Sequence, residues 1–207
     1  MNQLRKKSMD QEIEVIQEKA EVQDEILVAA LKLFAEKGYF NTSLVDIKEA
    51  AGLKTTGTIY QHFKTKHIIA AQLYANILES LSESIDDIKS TNEKPSEQLR
   101  SIVDLLFKLT DEAPDVMRFL LILNVSEFLP EARPLHESAA VKNIMRIIDD
   151  GIKAGEVRNI APQLGYAQFF DIIDNTLRLA LTGFLDRKPD YYQSQAWLAA
   201  WNSIAKK

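Results

Sequence analysis

The 207-residue chain is 46% hydrophobic and 27% charged, contains no cysteine and has a formal net charge of −5. This is the composition of an ordinary globular protein with a proper core, and the missing thiols exclude disulfides and thiolate metal sites. The N-terminal basic residues precede no apolar leader, and the longest apolar run, 119–125, is far short of the roughly 18 residues that span a membrane. A cytoplasmic protein with no membrane partner is expected.

Residues 1–21 read as a flexible or helix-extending arm, whose Arg5, Lys6 and Lys7 are candidates to touch a polyanion. Over 22–37, Ile26, Leu27, Ala30, Leu31 and Phe34 recur at helical spacing, and Gly38 follows as a stop. A short helix comes next, with Thr42 or Ser43 as its cap, Asp46 in its first turn and Gly52 at its end. A second short helix runs from about Thr55 to Gln61. A longer one begins near Thr65, carries Ile68, Ile69, Leu73, Ile77, Leu78 and Leu81, and ends near residue 90. Further helices are predicted at about 96–111, 115–128, 133–154, 162–185 and 190–205, broken by Pro114, Pro130, Pro134, Gly151 with Gly155, and Pro189. The fold class is all-α, with about nine helices.

The two short helices carry the functional signal. Neither is long enough to be stable alone, so each must pack on the helix before it, which is a helix-turn-helix arrangement whose second member enters a DNA major groove. Charge agrees with that reading. Residues 1–78 are neutral while 79–207 carry the whole −5, and no carboxylate occurs between Glu49 and Glu79. In the acid-free stretch Lys64 and Lys66 would neutralise phosphates, and Tyr60 would offer them a hydroxyl on a rigid ring. Lys54, Thr55, Thr56 and Thr58 would reach base edges, with Gln61 beside them, and Gly57 would let the backbone approach closely. Thr42 or Ser43 would present an amide and a hydroxyl to another phosphate.

Residues 26–66, ILVAALKLFAEKGYFNTSLVDIKEAAGLKTTGTIYQHFKTK, resemble the DNA-binding domain of the TetR family of bacterial repressors. The resemblance lies in the Leu-Phe and Gly of the first helix, the aromatic and Thr42-Ser43 before the second, Ile47, Ala51-Gly52, Thr58-Ile59-Tyr60, His62-Phe63 and Lys66. It implies phosphate contacts at Thr42, Tyr60, His62 and Lys66, and base contacts at Thr55, Thr56 and Thr58. Two positions depart from the family pattern. Lys48 stands where a small residue is usual, and seven residues rather than six separate Gly52 from Tyr60. The extra residue either lengthens the turn or rotates the start of the recognition helix by about 100°.

The resemblance assigns residues 22–66 to a three-helix DNA-binding domain and 67–207 to effector binding and dimerisation. Tyr74, Phe107, Met117, Phe119, Met145 and Phe169, with His136 or Asn175 as polar contacts, are the candidate lining of a pocket for an unidentified small molecule. Helix 162–185 is apolar on more than one side, so it needs more than one partner surface. Pairing of Phe170, Ile173, Leu177, Leu181 and Phe184, with Trp197 and Trp201 of the last helix, across a two-fold axis would supply one. A large intrachain core is the alternative. His62 and His67 lie five apart with no carboxylate beside them, so no metal is expected, and no catalytic motif or cofactor loop is present. The expected function is a homodimeric, ligand-responsive repressor on a palindromic operator in double-stranded DNA, not an enzyme. A helical adaptor that has lost specific DNA recognition is the rival.

Overall fold

A computed structural model describes residues 2–207, with side chains for Gln17 and for residues 19–207. Arg5, Lys6 and Lys7 of the N-terminal arm thus lie outside the residues whose side chains are described. The chain divides into two compact units, Met1–Leu73 and Tyr74–Lys207.

The first unit comprises α1 (Asn2–Lys37), α2 (Leu44–Ala50), α3 (Thr56–His62) and the start of α4 (Lys66–Thr91). Its core is built from the periodic face of α1, where Ile26, Ala30 and Phe34 are fully buried, together with Ile47, Ile59, Phe63, Ile69 and Ala70. Each seven-residue helix buries a single side chain, Ile47 from α2 and Ile59 from α3. Helices this short owe their stability to such anchors and to their caps. Ser43 is the N-cap of α2: its hydroxyl accepts from the Asp46 amide at 3.1 Å, and the Asp46 carboxylate accepts from the Ser43 amide at 2.7 Å, a reciprocal capping box. Gly52, at φ +67°, then reverses the chain into the turn to α3.

The second unit holds the rest of α4, α5 (Pro95–Glu112), α6 (Pro114–Leu121), α7 (Val125–Phe128), a 3-10 turn at Leu135–Glu137, α8 (Ala139–Ala154), α9 (Pro162–Leu181) and α10 (Pro189–Ile204). Proline opens α5, α6, α9 and α10, where its missing N–H costs nothing and its φ is already helical. The core runs through all the longer helices, with Ile85, Ile102, Phe107, Ile147, Phe169 and Ile204 among its members.

α1 begins at Asn2, so the arm extends the predicted 22–37 helix, and three later helices differ from their predicted limits. The 115–128 helix is interrupted at Ile122–Asn124 and resumes only as the four-residue Val125–Phe128, with Asn124 at its N-cap position and its side chain bonded to those of Ser126 and Glu127. The 133–154 helix starts only at Ala139, where Ser138 caps it by accepting from the Val141 amide. It does not break at Gly151. Val157 packs directly on that glycine, and a Cβ there would lie 2.8 Å from Val157 Cγ2. The 162–185 helix ends at Leu181, since Gly183 at φ +75° lets the Phe184 amide turn back to the Leu179 carbonyl.

The packing of α9 places the residues expected at a dimer contact. α9 packs against α5, α6, α8 and α10 of its own chain, which explains why it is apolar on several sides. Phe170, Ile173, Leu177 and Leu181 are buried in that intrachain core, and Trp197 and Trp201 are half-buried against it, stacked on each other at 5.6 Å. Of the residues expected at a dimer interface, Phe184 alone is left projecting, 76% exposed.

Candidate nucleic-acid interface and ligand cavity

Ile59, the one buried side chain of α3, fixes its rotational phase, and Phe63, buried in extended backbone at the C-cap, holds its end. That phase leaves Gly57, Tyr60 and Gln61 facing solvent, with Tyr60 56% exposed, and Thr56, Thr58 and His62 half-buried. Lys54 and Thr55 are exposed but precede the helix, in the three-residue connection after Gly52. Of the seven residues between Gly52 and Tyr60, three lie in that connection and four, from Thr56 to Ile59, in α3. Thr55 occupies the N-cap position of α3 without a side-chain cap bond, and its hydroxyl lies 3.4 Å from that of Thr58. Lys64 is exposed beyond the helix end.

Two expected phosphate contacts have other work in this structure. Thr42 is only 2% exposed, its hydroxyl donates to the Gly38 carbonyl at 2.9 Å and its amide to Tyr39. Both of its donors are consumed in the α1–α2 turn, so it shapes that turn instead of facing outward. Lys66 is half-buried; its ammonium lies 4.1 Å from the centre of the Tyr39 ring and donates to the Tyr39 and Thr42 carbonyls, each at 2.7 Å. Burial draws the Lys66 pKa below the ordinary lysine value, with Asp46 acting the other way. Lys66 thus clamps the first turn of α4 to the entry of α2. Tyr39 and Asp46, the partners that make this clamp and the capping box, were missed as members of the site. The Ser-x-x-Asp spacing was the signal available for Asp46. Lys48, the other departure from the family pattern, is half-buried and lies 3.6 Å from Glu49.

The second unit contains a cavity of about 280 Å³. α4 lines it with Asn76, Ile77, Ser80, Leu81 and Ser84, α5 with Leu105, Leu106 and Leu109, and α6 with Val116, Met117 and Leu120. Of the expected lining only Met117 belongs to it. Phe107, Phe119 and Phe169 are buried core residues outside its lining. Tyr74 is buried with its hydroxyl donating to the Arg133 carbonyl at 3.1 Å. His136 and Asn175 are exposed, and Met145 is half-buried on α8. The overlooked signal was a stripe of Asn76, Ser80 and Ser84 at i, i+4, i+8 beside the Ile77 and Leu81 stripe, which places small polar groups along one edge of an apolar face. Among the described residues, no cluster of three His, Asp or Glu could hold a metal, and no helix is long and apolar enough to cross a membrane.

Comparison with known proteins gives a consistent picture. Residues 26–73 match the model of bacterial regulatory proteins, tetR family. The chain is 30% identical over 145 residues to the HTH-type transcriptional regulator TtgR of Pseudomonas putida, an alignment covering 70% of this chain and 60% of that one. It is 31% identical over 111 residues to the HTH-type transcriptional regulator AcrR of Shigella flexneri, covering 53% and 49%. The chain spans about half the length of these curated relatives. Among solved structures, the ketosteroid transcriptional regulator KstR2 of Mycobacterium tuberculosis superposes with a TM-score of 0.70 at 19% identity, over 89% of this chain and 95% of that one. That likeness concerns the fold.

Proposed function

The chain belongs to the TetR family of bacterial regulatory proteins, and from that premise we propose that it is a DNA-binding transcriptional repressor whose hold on its operator is set by a small molecule. The observation that carries this reading is the outward face of α3, where Gly57, Tyr60 and Gln61 are offered to solvent by a helix locked through Ile59 and Phe63. Lys54, Thr55 and Lys64 flank that face, in a stretch without a carboxylate. A groove-reading surface needs this combination of a close backbone, short polar groups and phosphate-seeking cations.

The rest of the mechanism follows from symmetry and linkage. Two copies related by a two-fold axis would present two α3 helices to successive major grooves about 34–36 Å apart. The side chains available for such pairing are the apolar groups the core leaves out: Leu164 on α9, Phe184 after it, and Tyr191 and Leu198 one above the other on α10. A ligand in the cavity between α4, α5 and α6 releases DNA if it prefers an arrangement of the dimer in which the two α3 helices miss that spacing.

Fluorescence anisotropy on duplex DNA from upstream of the protein's own gene, with random duplex as control and salt varied from about 50 to 200 mM, tests the reading. A preference of roughly a thousandfold is expected. Equal, weak and salt-sensitive binding to both duplexes would leave phosphate contacts without sequence reading at that site. No binding to either would favour the adaptor reading instead.

A further inference from the structure

We infer that the cavity between α4, α5 and α6 takes an uncharged, largely aliphatic ligand with a single hydroxyl or carbonyl end, and discriminates against ions of either sign; this rests on the ligand-responsive reading above and deepens it. The floor is aliphatic, with Leu105, Leu109 and Leu120 representative of the side chains that α5 and α6 supply. No charged residue lines it. The cations adjoining it in sequence are already paired: Lys108 lies 3.8 Å from Glu112, and Arg118 lies 3.7 Å from Asp115 and reaches the Leu181 carbonyl. A carboxylate or ammonium drawn into this space would lose water and gain no opposite charge, which favours a ligand that enters neutral.

Polar contact is confined to one edge. Ser80 is exposed at the rim, and Ser84 already donates to the Ser80 carbonyl at 2.9 Å, leaving its oxygen to accept. That edge serves one small neutral polar group. Size sets the other limit. At about 280 Å³ the space is roughly twice that in which an apolar protein cavity takes up benzene, so it suits about a dozen non-hydrogen atoms.

The experiment is calorimetric titration of the full chain, without DNA, with three probes of equal chain length: 1-decanol, decanoate and decyltrimethylammonium, each below its aggregation limit at pH 7.5. Decanol is expected to bind at least tenfold more tightly than either ion. Ser80→Phe, a change at an exposed rim position, is expected to weaken decanol at least tenfold with the thermal melt unchanged. Ser84→Lys is expected to strengthen decanoate at least tenfold by supplying the missing cation. Either ion binding as tightly as decanol overturns the inference, as does decanol giving no heat or binding Ser80→Phe as it binds the unaltered chain. Adding decanol to the protein–operator complex is a separate readout. Binding without release keeps the ligand chemistry and overturns the effector role, while failure to bind DNA at all leaves the calorimetric result standing.

Discussion

Gly57 has no steric duty inside the protein. A Cβ there would meet Thr55 Oγ1 at 3.4 Å, an ordinary contact, and its φ is not in the left-handed region. Glycine inside a helix costs about 0.5–1 kcal/mol relative to alanine, and the proposed close approach of the backbone to DNA would be a reason to keep one at the second residue of α3. Gly57→Ala is therefore expected to raise stability by about 0.5–1 kcal/mol while weakening operator binding tenfold or more, as seen by denaturant unfolding and anisotropy on the same sample. Tyr60→Phe, at a 56% exposed position, should leave unfolding unchanged and weaken DNA binding. Asp174 on α9 is perturbed in a different way. Burial raises its pKa to about 6, with Arg178 opposing and Asp171 adding to the rise, and burial, helped by Asp174 and Asp171, likewise pushes up the Tyr166 hydroxyl. The folded chain thus holds this proton more tightly than the unfolded one. The associated stability is full below about pH 4 and is lost as pH rises through about 6. Asp174→Asn should flatten that part of the stability–pH curve and stabilise the protein at pH 7 by up to about 3 kcal/mol, measured by urea midpoints across pH 3.5–7.5.

At the scale of elements, α2 and α3 are held by few contacts, so their supports are exposed to mutation. Ser43→Ala removes the hydroxyl that accepts from the Asp46 amide and should cost about 1 kcal/mol, visible as a lower urea midpoint. Lys66 separates two roles. As a pure phosphate contact its loss would reduce the salt slope of DNA binding by about one and leave stability alone. As the clamp seen here, Lys66→Ala should lower stability by about 1.5–3 kcal/mol, since two hydrogen bonds from a charged donor are lost. Urea unfolding of the free protein decides between them. The helix-turn-helix was legible because its signals are local: a periodic face, a capping serine, a stop glycine and a run without acids. The roles of Thr42 and Lys66 were not, because hydroxyl and ammonium donors satisfy whichever acceptors the turn presents, and the Gly38, Tyr39 and Thr42 carbonyls are brought within reach only by folding.

For the whole molecule, the question is what pairs with what. α9 satisfies its several apolar sides within one chain, so any two-fold contact must use the groups left outside, such as Phe184, Tyr191 and Leu198. A self-complementary dimer needs a central apolar patch of this kind. Leu198→Glu is expected to shift the protein from dimer to monomer in sedimentation equilibrium at micromolar concentration with its helical circular dichroism retained. A monomeric unaltered protein would refute the dimer itself. The ligand cavity belongs to the same scale, since α4, α5 and α6 each supply part of its wall and none of these parts is a pocket alone.

The sequence by itself determined the all-α class, the two short helices and the acid-free stretch around them, because periodicity, caps and charge are properties of neighbouring residues. Even the longer spacing after Gly52 was written there as a count, although its consequence was left open between two outcomes. Tertiary structure placed Lys54 and Thr55 in the connection before α3 and, by burying Ile59, fixed the face that α3 presents. It also decided which aromatic residues are core and which small ones border a cavity. Phe107, Phe119 and Phe169 fill space, while Ser80 and Ser84 edge it. Apolar residues at helical spacing look the same in either role. Whether they pack or leave a gap depends on the shape of helices far away in the chain, which no local pattern records.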